Sequence, residues 1–277
     1  MVLQGDSTPG AVLRAILAVG DAQVVGRVAA LASDDRTPLA VRRLVEEIVA
    51  ECEWAGAKAS DWLGFSRGRF SFEVRCAALG RAAQGLDAAD ADAMDALLAE
   101  PDNSLRKHRS GVVGAIYYGL LENPIPLQLP WTPDRLRRVV LMVPALYDGS
   151  AEFFHKFRMT EQGRRLLAQA LFADPVALVK AFETEDAMSD LSMALSYGDS
   201  DDEESLAFEN AWCAVVGDRI IDGWSNWSAD ERLAVAKMIE NGLALVDVEQ
   251  GAALRDFLRS RAGDADAPTE LKETRTQ

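Results

Sequence analysis

Histidine and cysteine are scarce in this chain, and their scarcity removes whole classes of chemistry. Two histidines (His108, His155) and three cysteines (Cys52, Cys76, Cys213) are spread over 277 residues with no Cys-x-x-Cys pair. Neither a zinc knuckle nor a disulfide framework is indicated, and the thiols read as reduced, as in a cytoplasm. Neither histidine has a second ligand-type residue three or four positions on, and His108 sits among Arg106, Lys107 and Arg109, cations that oppose a metal ion. No metal and no cofactor are expected. Long apolar runs are absent as well: the uncharged segments fall short of the ~20 residues a membrane-spanning helix needs. The opening MVLQGDSTPG carries no basic flank, so no signal peptide is expected. Base is in deficit too, with 29 Lys and Arg against 44 Asp and Glu and a formal charge of -15. An acidic surface repels phosphate backbones and anionic membranes at a distance.

What is present points to helices. Four sites place a polar residue before a proline, Thr8-Pro9, Thr37-Pro38, Thr132-Pro133 and Asp174-Pro175; proline at a first helical position loses no hydrogen bond and arrives with the right φ. Two more starts read as capping boxes, Ser200 with Glu203 and Ser228 with Glu231. After Thr37, the apolar residues Val41, Leu44, Val45, Ile48, Val49 and Cys52 recur at helical spacing opposite Arg42, Arg43, Glu46, Glu47 and Glu51, the pattern of an amphipathic surface helix. Helices are expected from about residue 70 to 85 and 87 to 100, with Glu100-Pro101-Asp102-Asn103 as a turn. Next comes Ser110 to Leu121, SGVVGAIYYGLL, without a charge; a helix apolar all round is expected to be a central rod buried on every side.

The alternating prolines of Asn123 to Pro130 predict an extended strap, because proline removes a helical donor and fixes φ. Trp131 and Leu136 bracket the Thr132 cap as a hydrophobic staple. Further helices are expected near 160–172, 175–183, 185–197, 201–221, 228–246 and 248–261. The fold class is all-α, an irregular array or bundle of about 12 to 15 helices by these counts: an N-terminal half over 1–122, a proline-rich strap over 123–133, a C-terminal half over 134–262 and a disordered tail over 263–277, the halves packed as one domain. The stretch from Thr37, with its Arg42-Arg43 pair, resembles a HEAT repeat, which implies stacked helical pairs. The starts at 8, 37, 132 and 174 are unevenly spaced, which favours an irregular array over a regular solenoid.

Catalytic patterns fail one by one. Arg138 to Ala145 imitates a strand and Ala194 to Gly198 a nucleophile elbow, but both histidines precede that serine, whereas an α/β-hydrolase needs one after it. Asp201-Asp202-Glu203-Glu204, and the pairs Glu47/Glu51 and Asp186/Asp190, invite a magnesium site; yet acids in a first helical turn are already favoured by the helix dipole. Trp224 and Trp227 flank a turn and read as caps on the core.

One asymmetry remains. From Asp102 to Arg165 there are ten bases against six acids, a segment of +4 in a chain whose remainder is -19. Arg106, Lys107 and Arg109 open the central rod, and Arg135, Arg137 and Arg138 follow the Thr132 cap, where the dipole disfavours cations. With Trp131 these six form the candidate binding residues. The expected role is a non-catalytic protein-interaction module, an adaptor, regulator or complex subunit, that binds an anionic or acidic partner surface. The alternatives are a Mg-dependent all-α enzyme acting on a phosphorylated small molecule, and nucleic-acid contact through the basic segment.

Overall fold

A computed structural model describes residues 36–51, 57–68, 70–146, 150–182 and 203–240. The chain divides between Pro130 and Trp131 into two units. Every described residue in regular structure is helical, so the protein is an all-α, multi-helix bundle with no strand among the described residues.

In the first unit α1 spans Leu39–Glu51, α2 Ala59–Ser66, α3 Phe72–Gln84, α4 Ala91–Leu98, α5 Glu100–Asn103 and α6 Arg109–Leu121. Local chemistry sets the starts. The Ser71 hydroxyl accepts from the Val74 amide at 3.4 Å to cap α3, and Asp61 reaches back to the Lys58 amide at 3.0 Å to open α2. At α1 the first helical bonds run to the Pro38 carbonyl, from Val41 and Arg42, so the helix starts one residue after the expected proline. Of its apolar stripe Val45 is buried and Leu44 half-buried, while Val41 is 38% exposed in the first turn. The side chains of Ile48 and Val49, and Cys52, lie outside the described residues.

Packing in this unit centres on α3, which lies against α1, α2 and, most extensively, α6. Helices α3 and α6 run in the same direction. At their starts the Phe72 ring stacks on His108 with centroids 4.2 Å apart; midway a Cβ on Gly80 would stand 3.2 Å from the Ala115 carbonyl oxygen. At their ends the Asn123 amide donates to the carbonyls of Ala83, Gln84 and Leu86, each at 3.0 Å. A parallel pair needs a crossover, which α4, α5 and the 3₁₀ turn Arg106–His108 supply. Gly119 makes the approach possible, since a Cβ there would run into the Gly80 carbonyl and stand 2.7 Å from the Ala83 methyl.

Two expectations are corrected here. Glu100-Pro101-Asp102-Asn103 is a helical turn, α5, because proline at a second helical position lacks only a donor that no carbonyl awaits. The segment Asn123 to Pro130 is not extended throughout: Pro126 opens a 3₁₀ turn, Pro126–Gln128, in which the Gln128 amide donates to Ile125 O at 2.9 Å. The φ that proline fixes is also the φ of a 3₁₀ turn.

The second unit holds α7 Pro133–Val140, α8 Ser150–Arg158, α9 Glu161–Leu171, α10 Pro175–Ala181, α11 Glu203–Trp224 and α12 Ala229–Glu240. Side-chain caps match the sequence at Thr132 (from Arg135 N, 3.2 Å), Asp174 (from Ala177 N, 3.0 Å) and the Ser228/Glu231 box. Thr160 adds another, accepting from Gly163 N at 3.0 Å. Helix α9 packs against α7, α8 and α11, and α10 against α12. The Trp131 ring meets Phe153 and Phe157 edge to face at 5.8 and 5.4 Å, and Leu136 is fully buried. Trp224 is buried and Trp227 leans on Phe172 at 6.1 Å, so these two tryptophans do close the core at a helix junction. The stretch that imitates a hydrolase strand is helical to Val140 and then a 3₁₀ turn, Val143–Ala145. The Thr8-Pro9 start, Ser200, the helices at 185–197 and 248–261 and the tail lie outside the described residues, as do Asp186, Asp190, Asp201 and Asp202.

Candidate functional site

The seven candidate residues are distributed over both units, three in the first and four in the second. Arg106 and Lys107 stand exposed on the 3₁₀ turn that leads into α6, and Arg109 is the first residue of that helix. The turn is anchored from below by the His108–Phe72 stack and preceded by Leu105, which is 66% exposed. Arg109 approaches Asp102 at 3.7 Å, both well exposed, a pair of little energetic weight. Arg106 and Lys107 form no ion pair with any described residue.

Around α7 the charges are spent internally. The helix is only eight residues long, so Arg137 and Arg138 fall in its last turn, where the dipole favours them, and Asp134 occupies the first. The expectation that they oppose the dipole is therefore wrong: it assumed a longer helix. Asp134 accepts from Arg137 at 3.0 Å and from Arg138 at 3.2 Å, and Arg137 also reaches Asp174 at 3.3 Å, tying α7 to the cap of α10. Arg135 is half-exposed at the third position of α7, its amide held by the Thr132 cap. Trp131 is half-buried, and beside its Phe153 and Phe157 contacts it lines an open cleft of about 510 Å³ with Leu166, Gln162 and Gln169 of α9. That cleft also carries Glu161 and Arg165, which pair with each other at 2.7 Å.

A second cleft, of about 500 Å³, runs along the outer side of the α3–α6 pair. Its walls are Cys76, Ala77, Arg81 and Gln84 on α3 and, opposite, Tyr118 on α6 and Glu122 just past its end, over a floor of Gly80, Ala115 and Gly119. The α6 rod is thus not buried on every side. Val112, Val113, Ile116, Tyr117, Gly119 and Leu120 are buried, but Gly111 is exposed and Tyr118 is 41% exposed. An absence of charge in the sequence does not reveal that one flank faces a cleft. Burial pushes the Cys76 thiol up from 9.0 to about 11, with Arg75 pulling weakly down and Glu73 weakly up; it is a neutral wall of the cleft rather than a nucleophile.

Among the described residues no cluster of three or more His, Cys, Asp or Glu could hold a metal ion, and no helix is long and apolar enough to cross a membrane. No family model, no curated protein and no solved structure matches this chain. Sequence reasoning missed Leu105, Tyr118 and the facing Arg81 and Glu122. Leu105 carried a signal, an apolar residue directly ahead of two cations where a helix entry offers no core. The cleft carried none, since it depends on how close two glycine-bearing helices approach.

Proposed function

We propose that this chain is a non-catalytic interaction module, an adaptor, regulator or complex subunit, whose first unit offers a basic and apolar turn to an acidic protein surface. The observation that carries this reading is the turn itself: Leu105, 66% exposed, beside exposed Arg106 and Lys107 on a short 3₁₀ element pinned by the Phe72–His108 stack. An apolar residue held in water next to unneutralised cations suits a partner that presents carboxylates around an apolar pocket. Helical stacking supports a scaffold role. Helices α1, α3 and α6 begin at Leu39, Phe72 and Arg109, 33 and 37 residues apart, and pack in series, while α2 touches α4; alternate helices of HEAT-like arrays pack in this way. Neither Cys76 nor Cys213 is in a disulfide, in keeping with a reducing cytoplasm.

Affinity purification from the native cell extract tests the reading, comparing the wild-type chain with a Leu105→Ala/Arg106→Glu/Lys107→Glu variant and with Arg137→Gln/Arg138→Gln. A defined partner that is released by salt, lost with the first variant and retained by the second is the expected result. A partner held equally by both variants would move the site elsewhere. A rise in melting temperature with Mg²⁺ and a diphosphate would favour the enzyme, and salt-sensitive retention on immobilised nucleic acid the third reading.

A further inference from the structure

We infer that the α3–α6 cleft is a self-association surface, and that its occupant is the same face of a second copy of this chain. The starting point is α6. Over Ser110–Leu121 this helix has no charge and no polar face, a composition that requires cover all round. The described residues of the first unit cover only part of it. Gly111 and Tyr118 are open to solvent, and Tyr118 stands as a 41% exposed aromatic ridge beside a depression floored by Gly80, Ala115 and Gly119. One surface therefore carries both a knob and the kind of shallow, small-residue hole that receives one.

Charge points to the same occupant. Arg81 rises from the α3 wall and Glu122 from the α6 wall. They make no ion pair with each other: Arg81 instead lies over the Trp62 ring at 5.8 Å, and Glu122 is exposed. A ligand of one sign would satisfy one wall and be repelled by the other. A second copy related by a two-fold axis satisfies both, because Arg81 of each protomer then faces Glu122 of its partner, while each Tyr118 enters the partner's floor. Such self-complementarity is what an isologous contact demands.

Size sets the strength. Two 13-residue helices present a strip about 20 Å long at ~1.5 Å per residue and about 20 Å wide. Roughly 400 Å² per copy is below what stable complexes bury, so the dimer is a weak, reversible one. This surface lies on other residues than the Leu105–Lys107 turn and does not depend on that reading.

Sedimentation equilibrium over a range reaching about 500 μM is the test. Wild-type chain should show a mass that climbs from one chain towards two. Arg81→Glu and Glu122→Arg, each alone, should remain monomeric, since each places like charges face to face. Mixed one to one, the two variants should form a heterodimer, because at both contacts an acid of one variant then faces a base of the other. Because Arg81 also stacks on Trp62, circular dichroism of each variant checks the fold, and the Glu122→Arg arm stands without touching that stack. A wild-type mass that stays at one chain throughout overturns the proposal, as does a dimer unaffected by Glu122→Arg or a mixture of folded variants that fails to associate.

Discussion

Helices α6 and α7 open on almost the same words, a cluster of three cations at the entry, yet the structure uses them in opposite ways. At α7 a short helix carries Arg137 and Arg138 to its C-terminal end, where Asp134 of the same helix and Asp174 at the α10 cap serve as partners. At α6 the cations precede the helix on a separate turn, and Arg106 and Lys107 remain exposed. A local excess of charge therefore says little until helix length is known, because length decides which end of the dipole each charge meets. The two helices also differ in what holds them. Helix α6 is locked by backbone proximity to α3, and α7 by its cap, by Leu136 and by surface ion pairs.

The largest effect should come from the lock on α6. Gly119→Val places methyl groups against the Gly80 carbonyl and the Ala83 methyl, both part of another helix, so the helices must part. A loss of about 3 kcal/mol or more is expected in chemical denaturation. A mild loss would show that the α3–α6 seam yields, and the contrast with α7 would weaken.

Next in size is a chemical reporter on the same seam. In a Cys52→Ser/Cys213→Ser background, Cys76 should react with iodoacetamide at pH 8 roughly a hundredfold more slowly in the folded chain than in urea, because only the thiolate reacts and its fraction falls tenfold per unit of pKa. That ratio corresponds to the rise from 9.0 to about 11. The sign for stability follows. The fold favours the neutral thiol, so this contribution is complete below pH 9 and is lost as pH rises from 9 towards 11. Equal rates in both states would mean that the cleft wall is open to solvent.

Much of this was legible. Thr132, Asp174 and the Ser228/Glu231 box start helices as their side-chain chemistry requires, and the all-α class follows from such local rules. What stayed hidden was relational. Asn123, one more residue of a proline-marked stretch in sequence, is 3% exposed and clamps three carbonyls at the end of α3. Only the parallel path of α3 and α6 brings those carbonyls to it. The basic turn is half legible: Arg106 and Lys107 stand out by charge, but only the structure shows that Leu105 faces water.

The clamp and the ion pairs give intermediate effects. Asn123→Ala strips the donors from three carbonyls, two of them in buried bonds, and should lower stability by about 2 kcal/mol. Asp134→Asn should cost only about 0.5 to 1 kcal/mol, since the pairs it breaks lie near the surface. High salt should shrink that difference while leaving the Asn123→Ala loss intact. If the two respond alike to salt, α7 is not the electrostatically held helix of the pair.

The smallest expected change in stability is the most telling for function. Arg106→Gln/Lys107→Gln removes two exposed cations ahead of α6, where the positive end of the dipole opposes them. Stability should stay level or rise by up to about 0.5 kcal/mol, a melting-temperature shift within about 2 °C for a chain this long. The matching Arg137→Gln/Arg138→Gln change should instead destabilise, because it empties the partners of Asp134 and Asp174. Opposite signs from two closely similar double substitutions would separate cations kept for the fold from cations kept for a partner. A fall of more than about 1 kcal/mol for the first pair, beyond what exposed charges contribute, would mean that the turn before α6 is structural and that the acidic partner must be sought on another face.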